Sequence, residues 1–161
     1  MTAAALIRRE RPDHPQVVAL LAELDRYLES LYPPEANYIL DVQALLAPEV
    51  DFLVAARGEQ IIGCGAVRCM PGDPETQGQP YGEVKRMMTT PTERGQGIAE
   101  HLMAALEDAL RARGISLALL ETGRDQHAAM RLYERCGYVE RPAFGGYPDN
   151  GLSIFYEKRL A

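Results

Sequence analysis

The sequence predicts an α/β (α+β) chain: a mixed, mostly antiparallel central sheet with helices packed on its faces. Three observations carry that prediction. Strand-like runs in the middle of the chain follow one another across short polar breaks, as an antiparallel meander does. Amphipathic helical stretches separate the later strands, as crossovers do. A glycine-rich turn, Arg94-Gly95-Gln96-Gly97-Ile98-Ala99, joins a strand to a strong helix.

Ala5 to Arg9 reads as a short first strand. Asp13 is the expected cap of the first helix, with Pro15 in its first turn. Val17, Leu20, Leu21, Leu24, Leu28 and Leu31 recur at helical spacing and give that helix one apolar face; Pro33-Pro34 ends it. Val42 to Leu46 reads as a short helix. Phe52 to Arg57 and Gln60 to Cys69 are strands joined across Gly58-Glu59, a hairpin. Pro71 to Pro80 has loop composition, and Pro80 to Thr89 is the next strand. The helix from Ile98 to Arg113 carries Ile98, Leu102, Leu106 and Leu110 on one face and stops at Gly114. Ile115 to Glu121 is apolar almost throughout, as a strand covered on both faces is. Asp125 is the expected cap of a helix ending before Gly137, and Tyr138 to Glu140 and Leu152 to Lys158 are the last strands. No repeat, low-complexity tract or long linker divides the chain, so residues 1–161 are expected to form a single domain.

Composition narrows the function classes. With 47% hydrophobic and 25% charged residues the chain reads as an ordinary globular protein. No apolar run approaches a membrane span of roughly 18 residues, and the first ten residues lack the order of a secretory signal. A cytoplasmic protein with no membrane partner is expected. The net charge of −6 disfavours nucleic-acid binding, which needs a basic face. Cys64, Cys69 and Cys136 are odd in number and lack CxxC spacing, so neither a disulfide framework nor a metal site is expected. His14, His101 and His127 are scattered.

The glycine turn is suited to an anion. The first N–H groups of a helix lack intrahelical partners and carry the positive end of its dipole. Gly95 and Gly97 allow close approach to the main chain, and Arg94 adds fixed positive charge. Lys85, Arg86, Arg131 and Arg135 could add to the local positive field. The spacing matches neither GxxxxGK[ST] nor GxGxxG, because Glu100 stands at the third glycine. It does match [RQ]-x-x-G-x-[GA] through Arg94, Gly97 and Ala99. Here the chain resembles the GNAT superfamily of acyl-CoA-dependent N-acetyltransferases, in which this loop grips the pyrophosphate of coenzyme A. Leu132-Tyr133-Glu134-Arg135-Cys136-Gly137-Tyr138 resembles the L-Y-x-x-x-G-[FY] segment of the same family, and the element order is similar over nearly the whole chain.

The resemblance implies acetyl-CoA as co-substrate and a primary amine of a small molecule as acceptor. A protein or peptide N-acetyltransferase and a non-catalytic acyl-CoA sensor remain open alternatives, as does a homodimer, which the family often forms. It places the thioester against the main chain of Met87, Met88 and Thr89, and the pyrophosphate on Arg94, Gly95, Gln96, Gly97, Ile98 and Ala99. Gln126 stands where many relatives carry a cofactor-binding Asn. Tyr133 stands as the acid for the departing thiolate, since a phenol near pKa 10 is protonated at neutral pH. Deprotonating an alkyl ammonium at pH 7 costs about 4 to 5 kcal/mol, so a carboxylate near the acceptor is expected. Glu83 is the first candidate and Glu121 the second; a surface or ion-paired Glu83 is the competing reading. Strand alternation puts Glu83, Lys85 and Met87 on one face and Val84, Arg86 and Met88 on the other. Arg86, Arg68, Arg124 and Tyr147 are candidate acceptor-binding residues, a guanidinium being suited to a substrate carboxylate.

Overall fold

The computed structural model describes residues 4–161. One sheet holds seven strands: β1 (Leu6–Arg9), β2 (Val50–Arg57), β3 (Gln60–Met70), β4 (Tyr81–Thr89), β5 (Leu117–Gly123), β6 (Val139–Arg141) and β7 (Ser153–Arg159). Their order is β1-β2-β3-β4-β5-β7-β6, and every neighbouring pair is antiparallel except β4 with β5. The α-helices are α1 (Pro15–Leu31), α2 (Val42–Leu45), α3 (Ile98–Ala112) and α4 (His127–Arg135). The fold class read from the sequence is therefore the observed one, with element ends moved by a residue or two.

Strand alternation divides the core between two faces. On one face Leu53, Ile62, Val67, Val84 and Leu120 pack with Leu102, Leu106 and Leu110 of α3 and Leu132 of α4. On the other, Phe52, Val54 and Cys64 pack with Val17, Leu20 and Leu21 of α1 and Leu45 of α2. Further along that second face, Tyr81, Leu117 and Leu119 meet Phe144 and Phe155.

Two helix starts differ from expectation. His14 caps α1, its Nδ1 accepting the N–H of Gln16 at 3.1 Å. Asp13 instead pairs with the Arg11 guanidinium at 2.8 Å, a charge-assisted bond stronger than a cap to a neutral N–H. The α4 ladder begins one residue later than a cap at Asp125 would set it. The carbonyl of Gln126 takes the first bond, from Met130 N at 3.0 Å, and no side chain caps the helix.

Strand β4 positions the site. It pairs with β3 along its length, but with β5 only at Gly82↔Ala118 and Glu83↔Leu119. Beyond Glu83 the two strands part. Within this free stretch the β3 register slips between Cys64 and Ala66, and Arg86 adopts φ +61. This is a β-bulge: one extra residue on β4, which re-aims the side chains after it. The strict alternation read from the sequence is therefore wrong past Lys85. Met87 joins Val84 against α3, while Met88 packs with the α1 cluster and Arg86 pairs with Asp25 of α1. Gly65 makes room for this arrangement, since a Cβ there would collide with the Met87 sulfur.

Candidate active site

Three adjoining cavities run along β4, the middle one in the gap where β4 and β5 part. The first is a cleft of about 440 Å³ between the end of β4, the start of α3 and α4. Met87, Met88, Thr89, Arg94, Gly95, Gly97, Ile98, Ala99, Gln126 and Tyr133 all line it. Gly97 caps α3 at φ +78 with no side-chain hydrogen bond to the helix, and Gly95 sits at φ +80. A side chain at either position would be strained by the backbone. A Cβ at either would meet nothing within 4 Å, so the first turn of α3 opens onto free space.

Gln96 does not line the cleft. Its side chain accepts from Arg57 Nη2 at 2.7 Å and donates to Glu93 at 3.4 Å, which ties the loop to the end of β2. Arg94 is exposed at the cleft, its Nε 3.4 Å from the Thr89 carbonyl. The wider basic field expected around the loop is reduced. Arg135 lines the cleft but pairs with Glu100 at 2.8 Å, and Lys85 and Arg86 face the next cavity instead.

That next cavity is a chamber of about 100 Å³. It shares Met87, Gln126 and Tyr133 with the cleft and adds Lys85, Arg86 and Glu121. Tyr133 is buried, and desolvation, reinforced by the charge of Glu121, pushes its phenol further above the ordinary tyrosine value. It stays protonated at neutral pH. Burial also raises the Glu121 carboxyl, against a hydrogen bond from Ser153 Oγ at 2.7 Å and the charge of Lys85.

The third cavity, of about 420 Å³, shares Tyr38 and Lys85 with the chamber and is lined also by Arg68, Glu83 and Tyr147. Glu83 is a buried carboxylate and not a surface group: it is 2% exposed. It accepts a hydrogen bond from the Tyr147 hydroxyl, lies 3.2 Å from Lys85 Nζ and 3.6 Å from Arg68 Nη2. Lys85 Nζ also donates to the Tyr147 hydroxyl at 2.6 Å and to the Tyr38 carbonyl at 3.3 Å. Burial, then the charge of Glu83, raises the Tyr147 phenol.

Of the four candidate acceptor residues, Arg86, Arg68 and Tyr147 are brought to these cavities. Arg124 is not: it is exposed and its Nε donates to the Gly151 carbonyl at 3.0 Å. Sequence reasoning missed Tyr38 and its neighbours Asn37 and Ile39, which line both the chamber and the outer cavity. They lie in an irregular segment after α1, where no periodicity marks a role. Among the described residues no group of three His, Cys, Asp or Glu could hold a metal ion, and no helix is long and apolar enough to cross a membrane.

The model of the acetyltransferase (GNAT) family matches residues 17–138. The chain is 47% identical over 154 residues to an IAA acetyltransferase of Azospirillum brasilense, covering 96% of this chain and 97% of the relative. It is 32% identical to N-alpha-acetyltransferase 30 of Schizosaccharomyces pombe, over 79% of this chain and 82% of the relative. Among solved structures, a candidate acyl-CoA N-acyltransferase of Klebsiella pneumoniae superposes with a TM-score of 0.77 at 34% identity, covering 98% of both chains.

Proposed function

The chain belongs to the acetyltransferase (GNAT) family and is an acyl-CoA-dependent acetyltransferase; from that premise we propose that it is a single-domain enzyme moving an acetyl group from acetyl-CoA to the primary amine of a small molecule. One observation carries the reading. The cleft and the chamber share Met87, Gln126 and Tyr133 in their walls, beside β4 main chain that β5 leaves unpaired.

Acetyl-CoA supplies an acyl group activated as a thioester. The open α3 N-terminus and Arg94 would hold its pyrophosphate, and the main chain of Met87 to Thr89 would face the reacting carbonyl, where fixed N–H donors favour developing negative charge. The amine attacks directly: a C–N bond forms, the C–S bond breaks, one proton leaves nitrogen and one arrives on sulfur. Tyr133 holds the proton for sulfur. Glu83, reached through Lys85 and Tyr147, is the proposed proton acceptor, with Glu121 on the chamber wall as its rival. No cysteine enters this scheme. Cys64 is buried with its thiol pushed up to about 12.

The name of the Schizosaccharomyces pombe relative favours a second reading, transfer to a polypeptide N-terminus. A panel of small amines and short peptides, followed by release of free thiol from acetyl-CoA, separates the two. Tyr133→Phe should lower kcat about 100-fold while the acetyl-CoA dissociation constant, read by calorimetry, moves less than about threefold. Undiminished turnover would remove Tyr133 from the chemistry, and thiol release with peptides alone would overturn the small-molecule reading.

A further inference from the structure

We propose that the acceptor carries a carboxylate beside its amine, as a free amino acid does, and that Arg86 is the specificity-determining group that takes this carboxylate. The inference rests on the small-molecule reading above and narrows it.

Arg86 stands on the β4 bulge at φ +61, a conformation that side-chain-bearing residues rarely adopt. Its side chain is only 5% exposed, lines the chamber, and meets Asp25 through Nη1 at 2.5 Å. Its Nε has no hydrogen-bond partner. In a guanidinium the Nε–H and the nearer terminal N–H point the same way and form a fork that matches two carboxylate oxygens. Asp25 occupies Nη1 and leaves Nε, one tine of that fork, without a partner.

At the two cavity-lining arginines the unmet demand has one sign. The buried side-chain polar atoms without partners among the described residues are Arg68 Nε, Arg86 Nε and Thr90 Oγ1. Both arginines line acceptor-side cavities, and both orphans are donors. No carboxylate oxygen stands unpartnered among them. A buried donor left unpaired is destabilising, so a ligand that fits must bring acceptors. A polyamine brings only N–H groups and leaves both arginines unmet. A peptide N-terminus brings an amide oxygen where an amino acid brings a charged pair of oxygens.

Position agrees with this. The chamber holding Arg86 shares Tyr133, Gln126 and Met87 with the cofactor cleft. A carboxylate on Arg86 keeps an amine on the adjoining carbon inside the chamber. At about 100 Å³ the chamber admits a compact head group, and the acceptor's remaining atoms can extend past Lys85 into the outer cavity, beside the rings of Tyr38, Tyr81 and Tyr147.

The test uses the intact wild-type enzyme with matched ligands: the common amino acids, their carboxamides and their decarboxylated amines, each scored by thiol release from acetyl-CoA. At least one free amino acid should exceed its carboxamide and its amine by tenfold or more in kcat/KM. For that acceptor, Arg86→Gln should raise KM at least tenfold, with kcat and acetyl-CoA affinity changing less than threefold, and should bring the carboxamide level with the acid. Arg86→Lys keeps the charge but loses the fork, and should restore only part of the discrimination. Carboxamides or simple amines turned over as well as the acids would overturn this inference and leave the small-molecule reading standing. Thiol release with no small amine, but with peptides, would overturn both.

Discussion

Two buried clusters of this molecule are built from the same three side chains. In one, Glu107 accepts from the Tyr138 hydroxyl at 3.0 Å and from Lys158 Nζ at 2.9 Å, and that ammonium lies 5.8 Å from the centre of the Tyr138 ring. In the other, Glu83 accepts from the Tyr147 hydroxyl, lies 3.2 Å from Lys85 Nζ, and that ammonium lies 5.3 Å from the centre of the Tyr147 ring. What differs is the surroundings. The first cluster closes on itself: Lys158 gives a further bond to the Cys136 carbonyl at 2.8 Å, and none of its three residues lines the cleft, the chamber or the outer cavity. It joins α3 to β7 and to the turn after α4. The second cluster is open, with all three residues at the outer cavity and Lys85 at the chamber as well. Residue chemistry alone therefore does not mark a site. A buried carboxylate held by tyrosine and lysine is a fastener where packing is complete and a candidate proton acceptor where it borders a cavity.

The same isosteric change made in both places gives the largest contrast. Glu83→Gln should lower kcat/KM about 100-fold, within the range general-base groups contribute, whereas Glu107→Gln should change it less than about threefold. Because each swap removes one buried charge and keeps the acceptor oxygen, their melting temperatures should fall by similar amounts. Equal activity in the two variants would make Glu83 a second fastener and pass the proton to Glu121 or water.

Truncation reverses the emphasis. Glu107→Ala leaves the Lys158 ammonium and the buried Tyr138 hydroxyl without their shared acceptor. Removing one member of such a pair costs about 2 to 4 kcal/mol, somewhat less here because Lys158 is 27% exposed on its side chain. At roughly 2 to 4 °C per kcal/mol for a chain of this size, the melting temperature should drop by about 5 to 10 °C, with kcat per folded molecule unchanged. A drop under about 2 °C in a calorimetric scan would show that the closed cluster contributes little to stability.

The tyrosines give a smaller contrast. Tyr138→Phe should cost about 1 kcal/mol of stability and leave KM alone. Tyr147→Phe should change KM or kcat by about three- to tenfold, since it loosens both Glu83 and Lys85 at the cavity. The discriminating measurement is the ratio of kinetic to thermal effect in the pair; an equal ratio would erase the distinction between the clusters.

The cleft side of the candidate site was legible in sequence because it is local and built from main chain. Arg94 to Ala99 lie in one turn, and the helix start they expose is set by Gly97. The chamber and the outer cavity were legible only in part: Arg86, Arg68 and Tyr147 were singled out, but their assembly with residues far apart in the chain was not. Tyr38 meets Tyr147 with ring centres 4.9 Å apart across more than a hundred residues of sequence. The β4 bulge was equally hidden. Nothing in Val84-Lys85-Arg86-Met87 announces a left-handed residue, and period-two alternation fails silently when one residue is inserted into the pairing. The two caps failed for a milder reason: Asp13 and Asp125 are suitable capping types, but Arg11 and the position of the first helical carbonyl decided otherwise.

Glu121 sharpens the comparison from a third side, since it is a half-buried carboxylate with a serine in place of the tyrosine–lysine pair. Burial holds its carboxyl above the ordinary carboxylate value. Between that ordinary value and the raised one, the folded chain keeps a proton that the unfolded chain has released. Its contribution to stability is thus present at low pH and lost as pH rises through the folded value. Glu121→Gln carries no such titration and still accepts from Ser153. Its melting temperature relative to wild type should therefore climb as pH is raised from 4 to 7. A difference that stays flat or falls over that range would mean that Lys85 and Ser153 hold Glu121 ionised in spite of its burial, and would strengthen its claim as a resting carboxylate base in the chamber.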